Sequence, residues 1–218
     1  MPPLDAILPA VLFAALIAVF LAFTFGTQRN IGRGNAILRW LGAALPRLGQ
    51  RTTLRWLGSS VVELHLDAPA EPFRDVTVMA VMEPRDVPVL WFFTRARGRR
   101  DVLIFRTSLR RAPRIELEAA DPAAWIRASE LAEEEGWQPI DWPGEAMAHG
   151  RGHPDPATVQ AARTAWTRLA AASGGVWRVS VRQTVPHLEV HVRPPDLDAV
   201  QSEPLIEAIR GLAVEIGP

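Results

Sequence analysis

From Ile7 to Phe25 the chain reads ILPAVLFAALIAVFLAFTF, 19 residues without a charge. At a rise of ~1.5 Å per residue such a helix is roughly 28 Å long, which matches the hydrocarbon core of a bilayer. A helix that is apolar on every side has no stable place on the surface of a water-soluble domain. This block therefore sets the architecture: an anchor, with the remaining residues folding outside the lipid. Pro9 falls in the first turn, where a missing N–H costs least, and Thr24 can return its hydroxyl to a carbonyl one turn earlier. A cleaved signal peptide is the competing reading. Against it, Met1-Pro2-Pro3-Leu4-Asp5 lacks a positive n-region, the apolar run exceeds the usual h-region, and Thr24-Phe25-Gly26 is a poor cleavage site. Between Gly26 and Ser60 stand Arg29, Arg33, Arg39, Arg47, Arg51 and Arg55 with no acid, whereas the N-terminal flank carries Asp5 alone. The positive-inside rule then places residues 26–218 in the cytoplasm, as the body of a single-pass cell-membrane protein.

Just beyond the block, Asn35 to Leu48 carries Ile37, Leu38, Leu41, Ala44, Leu45 and Leu48 at helical spacing, with Trp40 beside them and Arg39 and Arg47 elsewhere. This is a basic amphipathic helix. It either lies on an anionic leaflet, with its Arg heads on phosphate and Trp40 in the interface, or packs its stripe on the domain's own sheet. Packing is the commoner use of such a stripe.

From Arg51 the apolar period changes to two, and Arg51–Leu57, Val61–Asp67, Arg74–Met82, Val87–Arg95, Asp101–Ser108 and Arg114–Ala119 each read as strands. Connections between them are too short to hold crossover helices, so an antiparallel meander is expected. Asp121-Pro122 opens a helix to about Glu135, and Asp155-Pro156 opens a second to about Ala172, each by an N-cap followed by Pro at the first helical position. Between them Trp137 to His153 reads as a Gly- and Pro-rich loop. Val176–Arg182 and Pro186–Arg193 form a hairpin, and Ser202 caps a last helix through Leu205, Ile206, Ile209, Leu212 and Ala213. The expected fold is α+β: an N-terminal transmembrane helix (residues 1–28), the amphipathic helix (29–50), and a soluble domain (51–218) whose antiparallel sheet is covered by helices on one face. With 48% hydrophobic residues the chain can bury a sizeable core, which excludes a disordered class.

The 24 basic residues are all Arg, and Lys, Tyr and Cys are absent, a joint pattern that coding bias explains better than function. Lack of cysteine excludes a disulfide framework, a thiolate nucleophile, Cys-ligated zinc and iron–sulfur clusters, and no cofactor is expected. The 24 acids balance the charge, but unevenly: residues 95–114 hold eight Arg against Asp101, and residues 115–145 hold nine acids against Arg127. The most unusual stretch is Val87 to Arg100, VPVLWFFTRARGRR, where Trp91, Phe92 and Phe93 lead into Arg95, Arg97, Arg99 and Arg100. A central strand buried on both faces with a solvated turn is the plainest reading, and contact with the membrane interface and lipid phosphate comes second. Clamping of single-stranded nucleic acid comes last, because the near-zero net charge and the acidic half oppose it, and no nucleic-acid partner is expected.

His187, Glu189 and His191 alternate along one strand and form a candidate metal set, to which His65, between Glu63 and Asp67, could add. Cross-strand pairing with Arg178, Ser180 and Arg182 explains the same polar face without a metal. His149 and His153 flank glycines beside Asp155, whose simpler use is as an N-cap. Glu133-Glu134-Glu135 at a helix C-terminus opposes the macrodipole, and reads as a solvated face or as a dock for a basic partner. No Walker loop, dinucleotide fingerprint, nucleophile elbow, HExxH helix or kinase signature is present, and Ser59, Ser60 and Ser180 have no base at a recognised spacing.

Arg55-Trp56-Leu57-Gly58-Ser59-Ser60, Pro72-Phe73-Arg74, Glu83-Pro84-Arg85 and Arg97-Gly98-Arg99-Arg100-Asp101 together resemble a group of uncharacterised prokaryotic single-span membrane proteins, over roughly the first half of the chain. The resemblance implies an N-terminal anchor on a soluble β-rich domain and supplies no activity. The expected function is therefore binding rather than catalysis: a scaffold that engages a protein partner or anionic lipid at the cytoplasmic membrane surface through Arg39, Trp40, Arg47, Trp91 and the Arg95–Arg100 turn. A membrane-tethered metal-dependent hydrolase using His187, Glu189 and His191 is the alternative.

Overall fold

The computed structural model describes residues 4–124, 136–152 and 155–217. Helix α1 (Leu4–Gly42) runs 39 residues without a break, roughly 58 Å at ~1.5 Å per residue. It contains the one helix among the described residues that is long and apolar enough to cross a membrane, and none of its most apolar window is covered by the domain. Thr24 returns its hydroxyl to Phe20 O at 2.9 Å, as its position suggests. The amphipathic segment is not a separate helix. It is the last part of α1 followed by a 3₁₀ turn, Leu45–Arg47. Its stripe Ile37, Leu41, Ala44, Leu45 and Leu48 is buried in the domain core, so of its two readings the structure shows packing on the sheet.

The domain is built on one nine-stranded antiparallel sheet. Its strands are β1 (Gly49–Leu57), β2 (Val61–Pro69), β3 (Phe73–Val81), β4 (Val102–Leu109), β5 (Glu116–Ala120), β6 (Trp137–Ile140), β7 (Met147–Arg151), β8 (Val176–Val181) and β9 (Leu188–Val192). They lie in the order β1-β2-β3-β4-β9-β8-β5-β7-β6. The meander therefore holds from β1 to β4 and then stops. The hairpin β8–β9 inserts between β4 and β5, so those two consecutive strands do not pair.

Two expectations are corrected. Val87–Arg95 is not a strand: helix α2 (Pro88–Ala96) occupies it, while β3 and β4 pair directly and leave 87–101 outside the sheet. Pro88 starts the helix where its ring is pre-set for helical φ. At the other end Gly98, at φ 86°, takes the left-handed conformation, and the amides of Arg97, Gly98 and Arg99 close onto carbonyls of the last turn. The expected loop from Trp137 to His153 holds β6 and β7. Pro139 lies in β6, the outermost strand, where a missing N–H costs no ladder bond.

Helices α3 (Pro156–Ala171) and α4 (Glu203–Ile216) lie with the end of α1 against one sheet face. There Leu64, Val78, Phe105 and Val190 meet Leu41, Leu169, Leu205 and Ile209. Asp155 caps α3 by accepting from the Thr158 amide at 3.0 Å. Ser202 stands at the N-cap of α4 but spends its hydroxyl on Trp40 O at 2.7 Å, tying α4 to α1. Most of the helix expected from Asp121 to Glu135 lies outside the described residues, as do Glu133-Glu134-Glu135 and His153.

Candidate functional site at the helix–domain joint

Where the apolar run of α1 ends, the helix passes directly onto the domain. A Cβ on Gly26 would sit 2.1 Å from Arg85 O, and one on Gly34 would sit 2.4 Å from the Trp56 ring. Only glycine permits the first approach, which is to backbone; the second is to the outer edge of a side chain. Between the two glycines, on the same face, is Asn30, fully buried, whose amide donates to Glu83 O at 3.0 Å and Ser60 Oγ at 3.1 Å. Arg85 Nη1 donates to Asn30 Oδ1 at 3.1 Å and to Asp101 Oδ1 at 2.9 Å, and Nη2 reaches Asp101 Oδ2 at 3.2 Å. Asp101 also accepts from the Glu83 amide at 2.9 Å and from Arg33 at 3.4 Å. Six residues, Asn30 and Arg33 of α1, Ser60 of the β1–β2 turn, Glu83 and Arg85 of the β3–α2 connection and Asp101 just before β4, thus close one network, in which every buried charge has an opposite partner.

Helix α2 is seated on this joint by one row. Pro88 and Trp91 border a small cleft with Ala22, Phe25, Gly26 and Arg29 of α1. Trp91 Nε1 donates to Glu83 Oε2, Arg95 reaches the same carboxylate at 2.8 and 3.0 Å, and the Arg95 guanidinium lies 5.6 Å from the Trp91 ring centre. Pro88, Trp91 and Arg95 are three and then four residues apart, one helical face. The remaining surface is apolar and bare: Val89, Leu90, Phe92 and Phe93 are 69%, 47%, 65% and 55% exposed, and α2 buries none of its residues. Each such side chain left in water forgoes about 1 kcal/mol of transfer free energy. Arg100 Nη1 closes the end of α2 on the carbonyls of Arg95 and Arg99, and Arg97 is exposed beyond it.

The sequence-selected residues divide accordingly. Trp91, Arg95, Arg97, Arg99 and Arg100 come together on and after α2. Arg39, Trp40 and Arg47 do not join them. Trp40 turns into the domain and donates to Val200 O at 2.6 Å, Arg47 pairs with Glu207 at 2.6 Å on the surface near α4, and Arg39 is exposed on α1. Of the residues that form the joint, Glu83, Arg85 and Asp101 stood out in the sequence only as turn residues of the resemblance, and Gly26, Asn30 and Gly34 were not marked as site residues.

The histidines belong to the other face of the sheet. Cross-strand partners set Thr53, His65, Thr77, Arg106, Glu189, Ser180, Glu118 and His149 in a single polar row across eight strands. Glu189 accepts from Arg106 at 2.8 Å and contacts His191 Nε2 at 2.6 Å, with Arg178 at 3.4 Å. His187 precedes β9 and accepts the Leu109 amide on Nδ1 at 2.9 Å, whereas His191 pairs with Glu189. His65 stands three strands from Glu189, about 14 Å at the ~4.8 Å strand spacing. Among the described residues no group of three or more His, Asp or Glu is placed to hold a metal ion. Ser59 is engaged by Asp86 at 2.6 Å and Ser60 by Asn30.

Burial pushes the Glu189 pKa up, but the hydrogen bond and charge of His191, with Arg106 and Arg178, outweigh it and hold the carboxyl at about 2 against an ordinary 4.5. Its folded-state pKa is depressed, so its stabilisation is complete above pH 4.5 and is lost as pH falls from 4.5 toward 2. Acid titration of the full-length protein in detergent, followed by near-ultraviolet circular dichroism, is expected to show stability falling through that window. Glu189→Gln should flatten it, and an unchanged profile would remove Glu189 as its source.

No known family matches the chain, and no curated protein is significantly similar to it. The fold and the geometry of the joint therefore define the class alone: an α+β domain joined without a linker to a helix long and apolar enough to span a membrane.

Proposed function

We propose that this is a single-pass membrane-anchored binding protein whose α+β domain stands on the cytoplasmic surface and engages anionic lipid headgroups there. The observation that supports it best is the arginine cluster Arg97, Arg99 and Arg100 that follows α2, the helix whose Pro88 and Trp91 border Phe25, Gly26 and Arg29 where the apolar run of α1 stops. The arginine excess after the span supports the cytoplasmic side. The metal-dependent hydrolase has less support, because among the described residues no three His, Asp or Glu side chains stand where they could hold one ion.

An arginine near an anionic surface contributes about 1 kcal/mol, so three together contribute about 3 kcal/mol, a factor of about 100 in lipid occupancy at low salt. Native mass spectrometry of the full-length protein, extracted in mild detergent, reads this directly. Stoichiometric anionic lipid on the wild type and its loss from Arg97→Gln/Arg99→Gln/Arg100→Gln is the expected result. Equal lipid on both overturns the lipid assignment, and a stoichiometric second protein in place of lipid makes the molecule an adaptor for that protein.

A further inference from the structure

We infer that α2 is a second membrane-contacting element, a short helix that inserts Val89, Leu90, Phe92 and Phe93 into the acyl–headgroup boundary of the bilayer that α1 crosses. The inference rests on the reading of α1 as a span and adds a binding surface to it.

Three observations fix the occupant as lipid. The first is height: Pro88 and Trp91 border Ala22, Phe25, Gly26 and Arg29 of α1. The apolar run ends at Phe25, so α2 lies level with the last turn of the span and the first arginine after it. A surface at that level, facing away from α1, meets headgroups and acyl chains before it meets water.

The second is orientation. The polar grip on Glu83 by Trp91 and Arg95 sets which side of α2 meets the joint, and its four large apolar side chains are left uncovered. Four large apolar groups between 47% and 69% exposed on a nine-residue helix form a patch that soluble surfaces avoid.

The third is the flank. The chain leaves α2 through Arg97, Gly98, Arg99 and Arg100, which places guanidinium groups where phosphate lies if the aromatics are immersed. Apolar residues inside and arginines at the rim follow the order of the bilayer itself.

The absence of cysteine makes the test clean. Single substitutions Phe92→Cys and Phe93→Cys in the full-length protein, spin-labelled and reconstituted in nanodiscs of phosphatidylcholine and phosphatidylglycerol, report immersion. The readout is the ratio of accessibility to oxygen, which enters lipid, over accessibility to a nickel chelate, which does not. Phe20→Cys in the apolar run and Val185→Cys in the β8–β9 turn, at the end of the sheet away from α2, are the two references. Both target side chains are exposed, so the substitutions leave the core intact. The expected result is a ratio at Phe92→Cys and Phe93→Cys several-fold above that of Val185→Cys and approaching Phe20→Cys. A ratio equal to that of Val185→Cys overturns the inference while the span stands. Labels shielded from both reagents overturn it too, since they place a protein, such as a second copy of the chain, on α2. A Phe20→Cys label open to nickel brings down the span and the inference together.

Discussion

Asp101→Ala is expected to lower the stability of the full-length protein by about 3–5 kcal/mol, the usual cost of removing one partner from a buried ion pair. The side chain is 11% exposed and takes both arms of Arg85, the guanidinium of Arg33 and the amide of Glu83. With it gone, Arg85 keeps only Asn30 and a 3.5 Å approach to Glu83, and a buried N–H loses its acceptor. Chemical denaturation in detergent measures the loss. Asp101→Asn, which retains an acceptor but no charge, should recover part of it. Trypsin supplies the local readout: Arg29 and Arg33 lie in an unbroken helix held by this network, and cleavage there should accelerate in Asp101→Ala. Equal stability and equal cleavage would show that the helix is held on the domain without Asp101, by the close glycine contacts and the buried stripe from Ile37 to Leu48.

Glu118→Ala is expected to cost about 3 kcal/mol on the opposite half of the sheet. Glu118 is 1% exposed and accepts from Arg178 Nε and, at 2.9 Å, from Arg182 Nη2. Burial works against the Arg178 charge, and Glu118 and then Glu189 hold its pKa above the ordinary value; removing Glu118 takes away the larger support, but arginine's own basicity keeps the guanidinium charged and now poorly paired. Arg182 would retain the Trp137 ring, 4.3 Å away, as its main neighbour. Both guanidiniums are about a fifth to a quarter exposed, and partial hydration keeps the cost at the lower end. Thermal unfolding of the same detergent preparation checks it, and a change below about 0.5 kcal/mol, ordinary for a surface site, would mean that water replaces the carboxylate without penalty.

Local signals made much of the fold legible. Strands β1 to β4 are bounded by turn residues and alternate with period two, and Asp155-Pro156 marks the start of α3. The α2 segment misled because Val, Trp and Phe suit a strand, while the helix that forms is exposed and shows no apolar period on its outer side. The row that fixes it, Pro88, Trp91 and Arg95, contains two polar handles and follows a partner, Glu83, that becomes visible only in three dimensions. Strand β6 was hidden by Pro139, which its edge position tolerates, and β7 by Gly150 within it and by Gly144 and Gly152 around it.

The candidate site was half legible. Aromatics beside arginines marked α2 and its flank, but the joint joins Asn30 to Glu83 across 53 residues and Arg33 to Asp101 across 68. One sign lay in the chain. Asn30, Gly34, Ile37, Leu41, Ala44 and Leu48 follow one another at steps of four and three, and all are buried. Two of the six are not apolar, so a search for hydrophobic periodicity begins at Ile37 and misses the first two turns.

The continuity of α1 into the core has a consequence for reach. A domain on a flexible tether sweeps a volume set by the length of its linker and can search for a partner at many distances. Here the same helix carries the apolar run and the core stripe, and no slack residue lies between Phe25 and Ile37. On the proposed reading every group on the domain stands at a set altitude above the bilayer, and the domain searches by sliding in two dimensions only. A partner whose own binding face rides higher or lower would pass it by.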